Sequence, residues 1–308
     1  MSGRRPGRLG VGVVGAGRVG AVLGSALRAT GHAVVGASGI SEASQERIAS
    51  LLPGVPVLTV DEVVERAELV LLTVPDEALP ELVAGIAGVG GWQPGQLVVH
   101  TSGRHGTAVL EPAFRAGAIP LAVHPAMTFT GTSLDLARLE GTTFAVTAPA
   151  AVQPIGQALV VEVGGEPVVI EEAVRPLYHA ALAHGAEHLV VLVAQAAQAL
   201  EEAGVTEPGR VLRPLLSAVL DGATRAADTR EDGVGPGAVA ALGGALAAGD
   251  TATVEAHVAA LGDLAARTGA TDVPASYAQL ARGGVRRSLA SHRIDAAAAQ
   301  RLLDALGE

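Results

Sequence analysis

Three groups of residues in this chain have types and spacings suited to chemistry. The first is Gly15-Ala16-Gly17-Arg18-Val19-Gly20, which follows the apolar run Leu9–Val14 and opens a helical segment, Ala21–Ala29. In a strand–turn–helix setting each glycine of a G-x-G-x-x-G run has a mechanical task. Gly15 makes the tight turn, Gly17 admits a pyrophosphate to the backbone, and Gly20 lets helix pack on strand. Phosphates then meet unpaired amides at a helix N-terminus. A tight turn that binds nothing is the alternative; the context favours a dinucleotide. The second group is His100-Thr101-Ser102-Gly103 together with His124-Pro125, each ending an apolar run. Ser102 and the amides near Gly103 could hold a carboxylate or a forming alkoxide. Equally, such a serine serves to tie a turn. His124 is placed to move a proton if it lies at the same edge. The third group is Tyr178, His179, His184, Glu187 and His188, on one otherwise apolar helical stretch. Polar groups in that setting find partners, stay exposed, or do chemistry. His184-Gly185-Ala186-Glu187-His188 also matches H-x-x-E-H, with two histidines on one helix face. No third zinc ligand is evident, so no metal is expected.

The elements that would present these groups alternate in type. Ala33–Ala37, Val57–Val60, Leu69–Val74, Gln96–Thr101, Leu121–His124, Thr143–Thr147 and Pro167–Ile170 read as strands after the first. Helical segments fall between them: Glu42–Leu52, Asp61–Arg66, Glu77–Ala84 and Thr107–Ala116. This is the alternation of an α/β fold with a doubly wound, mostly parallel sheet. After Ile170 no strand signal returns. Glu171–Ala203 is a long helical stretch with a kink expected near Pro176, and burial expected between Leu189 and Leu200. Pro208–Ala227, Gly237–Ala248, Thr251–Thr268 and Pro274–Leu289 read as further helices, with a turn at Arg230–Gly237. The expected division is a Rossmann dinucleotide-binding domain over residues 1–170 and an all-helical domain over residues 171–308.

Cofactor choice is read from the end of the second strand. NAD-preferring folds place an acidic residue there, on the adenosine ribose. Here the sequence is Gly36-Ala37-Ser38-Gly39-Ile40-Ser41, with no carboxylate before Glu42. Nothing repels a 2′-phosphate; Ser38 and Ser41 could donate to it, and Arg18 or Arg47 could supply charge. NADP(H) is therefore expected over NAD(H). Ser38 and Ser41 also suit the caps of a turn and of the helix after it, a role compatible with binding. In Thr73-Val74-Pro75-Asp76 the Val74–Pro75 backbone is expected to line the nicotinamide end, with Thr101 beside it. Asp76 could cap the next helix.

Composition excludes several chemistries. All 21 residues counted as Lys or Arg are arginine, so lysine acids and Schiff bases are ruled out. There is no cysteine, hence no disulfide, thiolate nucleophile or cysteine metal site. The net charge of −10 argues against nucleic acid, and the basic trio Arg4, Arg5 and Arg8 reads as a solvated arm. No uninterrupted apolar run reaches the roughly 18 residues of a membrane span, and no signal peptide is evident. A soluble cytoplasmic protein is the expectation.

Taken together, Gly15–Gly20, Thr73–Asp76, His100–Gly103, Val123–Phe129 (V-H-P-A-M-T-F) and Leu177–Leu189 resemble the Rossmann-like proteins with a DUF2520 C-terminal domain. That group is similar in plan to the 6-phosphogluconate dehydrogenase-like superfamily, which includes pyrroline-5-carboxylate and ketopantoate reductases. The resemblance implies NADP(H), a helical C-terminal domain, and a homodimer built on that domain. It also implies reduction of a small carbonyl compound, with ketopantoate as the named expectation. In that reading Ser102 orients the substrate, His124 or His179 supplies the proton, and Glu187 orients a histidine or acts itself if buried. Two departures stand out. Glu187 occupies a position where the family usually has Asn. The family segment T-G-P-x-A-R-G-D appears as Gly243-Gly244-Ala245-Leu246-Ala247-Ala248-Gly249-Asp250, without its Thr, Pro and Arg. Loss of that Arg leaves two further readings open: an imine of the pyrroline-carboxylate type as substrate, or an NADP-binding sensor without turnover.

Overall fold

A computed structural model describes residues 8–228 and 237–308. Arg4, Arg5 and all of the Arg230–Gly237 turn except Gly237 lie outside the described residues. The chain divides into two compact units, one ending at Gly185 and the other beginning at Ala186.

The first unit holds one seven-stranded sheet. Its strands are β1 (Gly10–Val14), β2 (Ala33–Ser38), β3 (Leu69–Leu72), β4 (Leu97–His100), β5 (Ile119–Pro125), β6 (Thr143–Thr147) and β7 (Glu166–Val169). Their spatial order is β2-β1-β3-β4-β5-β6-β7. β1 to β5 run parallel, β6 reverses against β5, and β7 is parallel to β6. The ends of β1, β3, β4 and β5 therefore share one edge. Strand alternation sends Val11, Val13, Leu69 and Leu71 into one core, and Val14, Val70 and Leu72 into the other. Helices cover both faces, so β3 and β4 are buried throughout and read as continuous apolar runs.

The helices of this unit are α1 (Arg18–Ala29), α2 (Glu42–Leu51), α3 (Val60–Arg66), α4 (Leu79–Gly88), α5 (Glu111–Arg115), α6 (Leu134–Arg138) and α7 (Gln153–Glu162). Val57–Val60 is not a strand. Val57 makes only an isolated bridge to Ala37, while Thr59 and Glu62 form a capping box that starts α3 at Val60. Likewise Asp76 caps nothing, because α4 begins at Leu79 with Ala78 at the cap position and Pro80 in its first turn.

Helix α8 (Arg175–Glu202) runs from the first unit into the second. Its start explains why the first unit extends past residue 170: the Arg175 side chain is buried against the sheet. Pro176 is the second residue of α8, where its missing N–H costs nothing, instead of a kink within it. The second unit adds α9 (Pro208–Ala227), α10 (Gly244–Ala248), α11 (Thr251–Thr268), α12 (Asp272–Ala290) and α13 (Ala296–Ala305), the last unexpected from sequence. Val254, Ala281, Val285, Ala299, Leu302 and Leu306 make its small core. Buried Gln195 of α8 donates to the Asp272 carboxylate at 2.8 Å and to the Ser276 hydroxyl at 3.0 Å. The expected burial of Leu189–Leu200 is met only in part: Gln195 is buried and Ala196 to Leu200 half-buried, but Val190 is 69% exposed and Val191 50%. The stretch 172–202 is long and apolar enough to cross a membrane, by length and composition. His184, Glu187 and His188 interrupt it, and a carboxylate in hydrocarbon is costly.

Candidate active site

The glycine turn has the geometry its spacing predicts. Gly15 has φ +84°, a left-handed conformation that favours glycine. A Cβ on Gly20 would stand 2.2 Å from Thr73 Oγ1 and 2.7 Å from the Gly15 carbonyl. Thr73 Oγ1 itself donates to that carbonyl at 2.7 Å, locking the end of β3 to the turn. At Gly17 the situation is opposite. Its Cβ would meet nothing nearer than the Gly15 carbonyl at 3.8 Å, so the space in front of this residue is open. Gly17 is the N-cap of α1 with no side-chain cap, leaving the first amides of the helix to a ligand. Such a cradle fits a pyrophosphate. Ala16 and Val19 are packed inward, while Arg18 is exposed.

Around the second strand, both serines take part in local turns. Ser38 is buried; its Oγ accepts from the Gly15 amide at 3.3 Å and its carbonyl from the Ala16 amide at 2.7 Å. Both bonds hold the glycine turn and leave the Ser38 hydroxyl hydrogen to donate. Ser41 is exposed and caps α2, accepting from the Ser44 amide at 3.2 Å. Arg18 and Arg47 meet at Gly131, whose Cβ would stand 2.8 Å from Arg47 Nε and 3.0 Å from Arg18 Cγ. The Arg47 guanidinium thus lies beside the stem of Arg18, and no carboxylate occurs between Gly36 and Ser41. Gly131 is held in turn by Asp135, a carboxylate with no exposed side chain. It accepts from the amides of Thr130 (2.7 Å) and Gly131 (2.8 Å) and from Arg138. Burial raises its pKa, but those hydrogen bonds outweigh it and hold the carboxyl below its ordinary value.

The ends of β4 and β5 carry the second cluster. His100 is fully buried: Nε2 lies 2.8 Å from the Gly106 carbonyl and Nδ1 accepts from the Ser102 amide at 3.2 Å. Burial above all, with Arg175 and His105 nearby, lowers its pKa to about 4. It is a neutral brace for the loop after β4. Ser102 Oγ accepts from the amides of Arg104 (3.2 Å) and His105 (3.1 Å), so its lone pairs tie the turn and only its proton is available. Thr101 and Val74 are half-buried at the same sheet edge, with Val74 Cγ1 against Gly15 and Pro75 exposed beyond it.

Two of the expected proton donors do come together. A Cβ on Gly103 would stand 2.9 Å from His124 Nε2 and 3.0 Å from His179 Cδ2, so both rings roof this glycine. His124 Nδ1 lies 2.9 Å from the Tyr178 hydroxyl, with the two rings edge to face. Burial first, then Arg175 and His179, lowers the His124 pKa to about 4, with Asp76 opposing. Burial likewise raises Tyr178, with Arg175 opposing. Glu187 does not join them: it is exposed, eight residues beyond His179 and therefore about 12 Å along the helix. Among the described residues no group of three His, Asp or Glu is placed to hold a metal ion.

Arg175 is the residue beside this cluster that the sequence did not single out. Wholly buried, it donates to Thr147 Oγ1 (2.8 Å) and to the carbonyls of Ser102 (2.8 Å), Ala122 (3.1 Å) and Ala145 (2.9 Å). The available signal was a lone Arg three residues before Tyr178, on the helix face that carries the cluster.

In the second unit, the segment that departs from the family retains a structural job. Gly244 and Gly249 have φ near +69° and +68°, and Asp250 caps α11 through the Thr253 amide at 3.1 Å. Gly244, Gly249 and Asp250 build a helix junction, independent of the missing Thr, Pro and Arg.

Comparison with known proteins follows the same two-part plan. Residues 1–125 match the model of a Rossmann-like domain, and residues 142–283 match DUF2520, a domain of unknown function. No curated protein matches the sequence. A candidate NADP oxidoreductase from Bacteroides fragilis superposes with TM-score 0.66 at 20% identity, covering 90% of this chain and 97% of that one. An imine reductase from Pseudomonas sp. gives 0.63 at 18%, covering 97% and 100%. An imine reductase from Myxococcus stipitatus, in complex with NADP+, gives 0.62 at 19%, covering 96% and 99%. At these identities the likeness is one of fold. The chain belongs to the proteins that join an N-terminal Rossmann-like domain to a DUF2520 domain.

Proposed function

We propose that this protein is an NADPH-dependent reductase of a small carbonyl or imine compound. One observation carries the reading: an open phosphate cradle at Gly17 and a His124–Tyr178–His179 cluster lie at the same edge of one sheet. β1 and β5 are three strand spacings apart, about 14 Å, which leaves room for a dinucleotide lying across β3 and β4. The nicotinamide supplies a hydride when bound. Arg18 and Arg47 favour the 2′-phosphate, and fold neighbours include proteins described with NADP+. The residues here then provide a proton. His124 is uncharged at neutral pH, so the proton comes from His179 or from the Tyr178 hydroxyl held against His124. Ser102 can still donate its hydroxyl hydrogen to a substrate oxygen.

For a ketone, the C=O π pair moves to oxygen as hydride reaches carbon, and the proton closes the alcohol. Ketopantoate remains the named carbonyl candidate. A specific observation favours a second substrate class. An imine can arrive already protonated, which suits a site with no lysine and a neutral His124. NADPH consumption with ketopantoate and with a cyclic imino acid separates the two.

We further propose a homodimer through the helical domain. Val190 and Val191 of α8 and Leu215 and Val219 of α9 are each at least half exposed. Apolar surface on this scale is characteristic of an interface.

A further inference from the structure

We propose that Arg175 is a positioning residue of this site: its guanidinium fastens the first turn of α8 to β5, β6 and the loop after β4, and thereby sets Tyr178 and His179 against His124 above Gly103.

The geometry is specific. Arg175 stands three residues before Tyr178 and four before His179, so all three share one helix face. Its four hydrogen bonds reach three separate segments: Ser102 after β4, Ala122 in β5, and Ala145 and Thr147 in β6. Thr147 is itself fixed by donating to the Ile170 carbonyl. Each acceptor is a neutral oxygen, and none of the ion pairs formed by described residues involves Arg175. A buried cation helped only by the longer-range field of Glu172 is an expensive way to attach a helix; an apolar side chain would attach it more cheaply. What the planar fork adds is direction, since a ring of fixed carbonyls admits one placement of the guanidinium. An apolar contact would let α8 slide or rotate, and an error of about 1 Å in a reacting group can cost on the order of 10²-fold in rate.

The charge has a second effect. Facing His124 are Arg175 and Tyr178 on α8, His179 one residue on, and Asp76 after β3. Arg175 and His179 disfavour an imidazolium and Asp76 favours one, while burial opposes it most. The ring therefore stays neutral and shares a single hydrogen bond with Tyr178.

The test follows the His124 ring by nitrogen NMR in histidine-labelled full-length protein, from alkaline to acid pH. Wild type, Arg175→Lys and Arg175→Gln are compared, with thermal melts alongside. Arg175→Gln is expected to let His124 protonate at a pH nearer that of an ordinary histidine. Arg175→Lys keeps the charge but cannot span the four acceptors, so the ring stays neutral while its tautomer is no longer fixed. Folded Arg175→Gln protein whose His124 signals match wild type would overturn the proposal. If Arg175→Gln does not fold, Thr147→Val removes one acceptor and leaves the charge; an unchanged His124 tautomer there overturns it equally. A kinetic arm rests on the reductase reading: kcat should fall roughly 10²-fold with KM for NADPH little changed. Wild-type protein without turnover defeats that reading alone and leaves the NMR result to decide the role of Arg175.

Discussion

The hydroxyl of Tyr178 lies 2.9 Å from Nδ1 of His124, joining the first turns of α8 to the end of β5. The pair spans 54 residues of sequence, and its His124 ring stands directly over Gly103 beside His179. Tyr178→Phe removes the bond and keeps the ring, so kcat is expected to fall by roughly 10- to 10²-fold. Gly103→Ala tests the same spot from below, because its Cβ would press on both His124 and His179. It should lower kcat while NADPH affinity stays near wild type. Wild-type turnover in both variants would remove this cluster from the chemistry.

The glycines of the first turn predict a dissociation between folding and binding. Gly20→Ala collides with Thr73 and the Gly15 carbonyl, so melting temperature and NADPH binding should fall together. Gly17→Ala meets open space in the protein and should keep its melting temperature. Its methyl group occupies the approach of the pyrophosphate, so affinity should drop by about tenfold or more, near 1.4 kcal/mol. Titration by nicotinamide fluorescence, beside a thermal melt, reads both.

Cofactor choice is expected to rest on Arg18 and Arg47, which meet at Gly131. Alanine at both should weaken NADPH by roughly tenfold or more and leave NADH little changed, since each charge-assisted bond to phosphate is strong. Equal losses for the two cofactors would assign these arginines to stability instead.

The buried histidines set a pH dependence with a definite sign. His100 and His124 titrate near 4 in the folded protein, whereas an unfolded histidine titrates near 6.5. Between those values the unfolded chain binds more protons, so stability rises with pH and is lost as pH falls from 6.5 towards 4. Asp135 adds a separate acid loss: its carboxyl is held low, so its contribution is present above the ordinary carboxylate pKa and disappears as pH falls through the folded value. His100→Gln should flatten the first slope. An unaltered melting profile between pH 6.5 and 4 in wild type would contradict the buried, neutral assignment.

Association is checked by light scattering on sized protein. A dimer is expected, and Val190→Glu with Leu215→Glu should shift it to monomer without loss of helical signal. A wild-type monomer at micromolar concentration would argue against the helical domain as an interface.

Much of this was legible in the sequence, and the limits have physical causes. The G-x-G-x-x-G turn and buried strands β3 and β4 were plain, because the sheet is covered on both faces and reads as apolar runs. Val57–Val60 misled because three of its four residues are β-branched, yet Thr59-x-x-Glu62 is a helix-start signal that outweighs their strand propensity. The convergence of His124 and His179 could be anticipated from strand ends; the part of Arg175 could not, since its four acceptors come from three distant segments. Ser38 suited a ligand or a turn, and its oxygen does accept from the turn amide of Gly15. Leu189–Leu200 looked like core because its apolar content is real; Gln195 to Leu200 are covered in whole or part, whereas Val190 and Val191 are exposed.

The most direct measurement is NADPH oxidation, followed by nicotinamide absorbance, with ketopantoate and a cyclic imino acid and with NADH as control. Turnover of at least one substrate with NADPH, slower with NADH, is the predicted result. Tight NADPH binding with no turnover across a wider panel of 2-oxo acids and imines would contradict the reductase account and leave a nucleotide-binding sensor in its place.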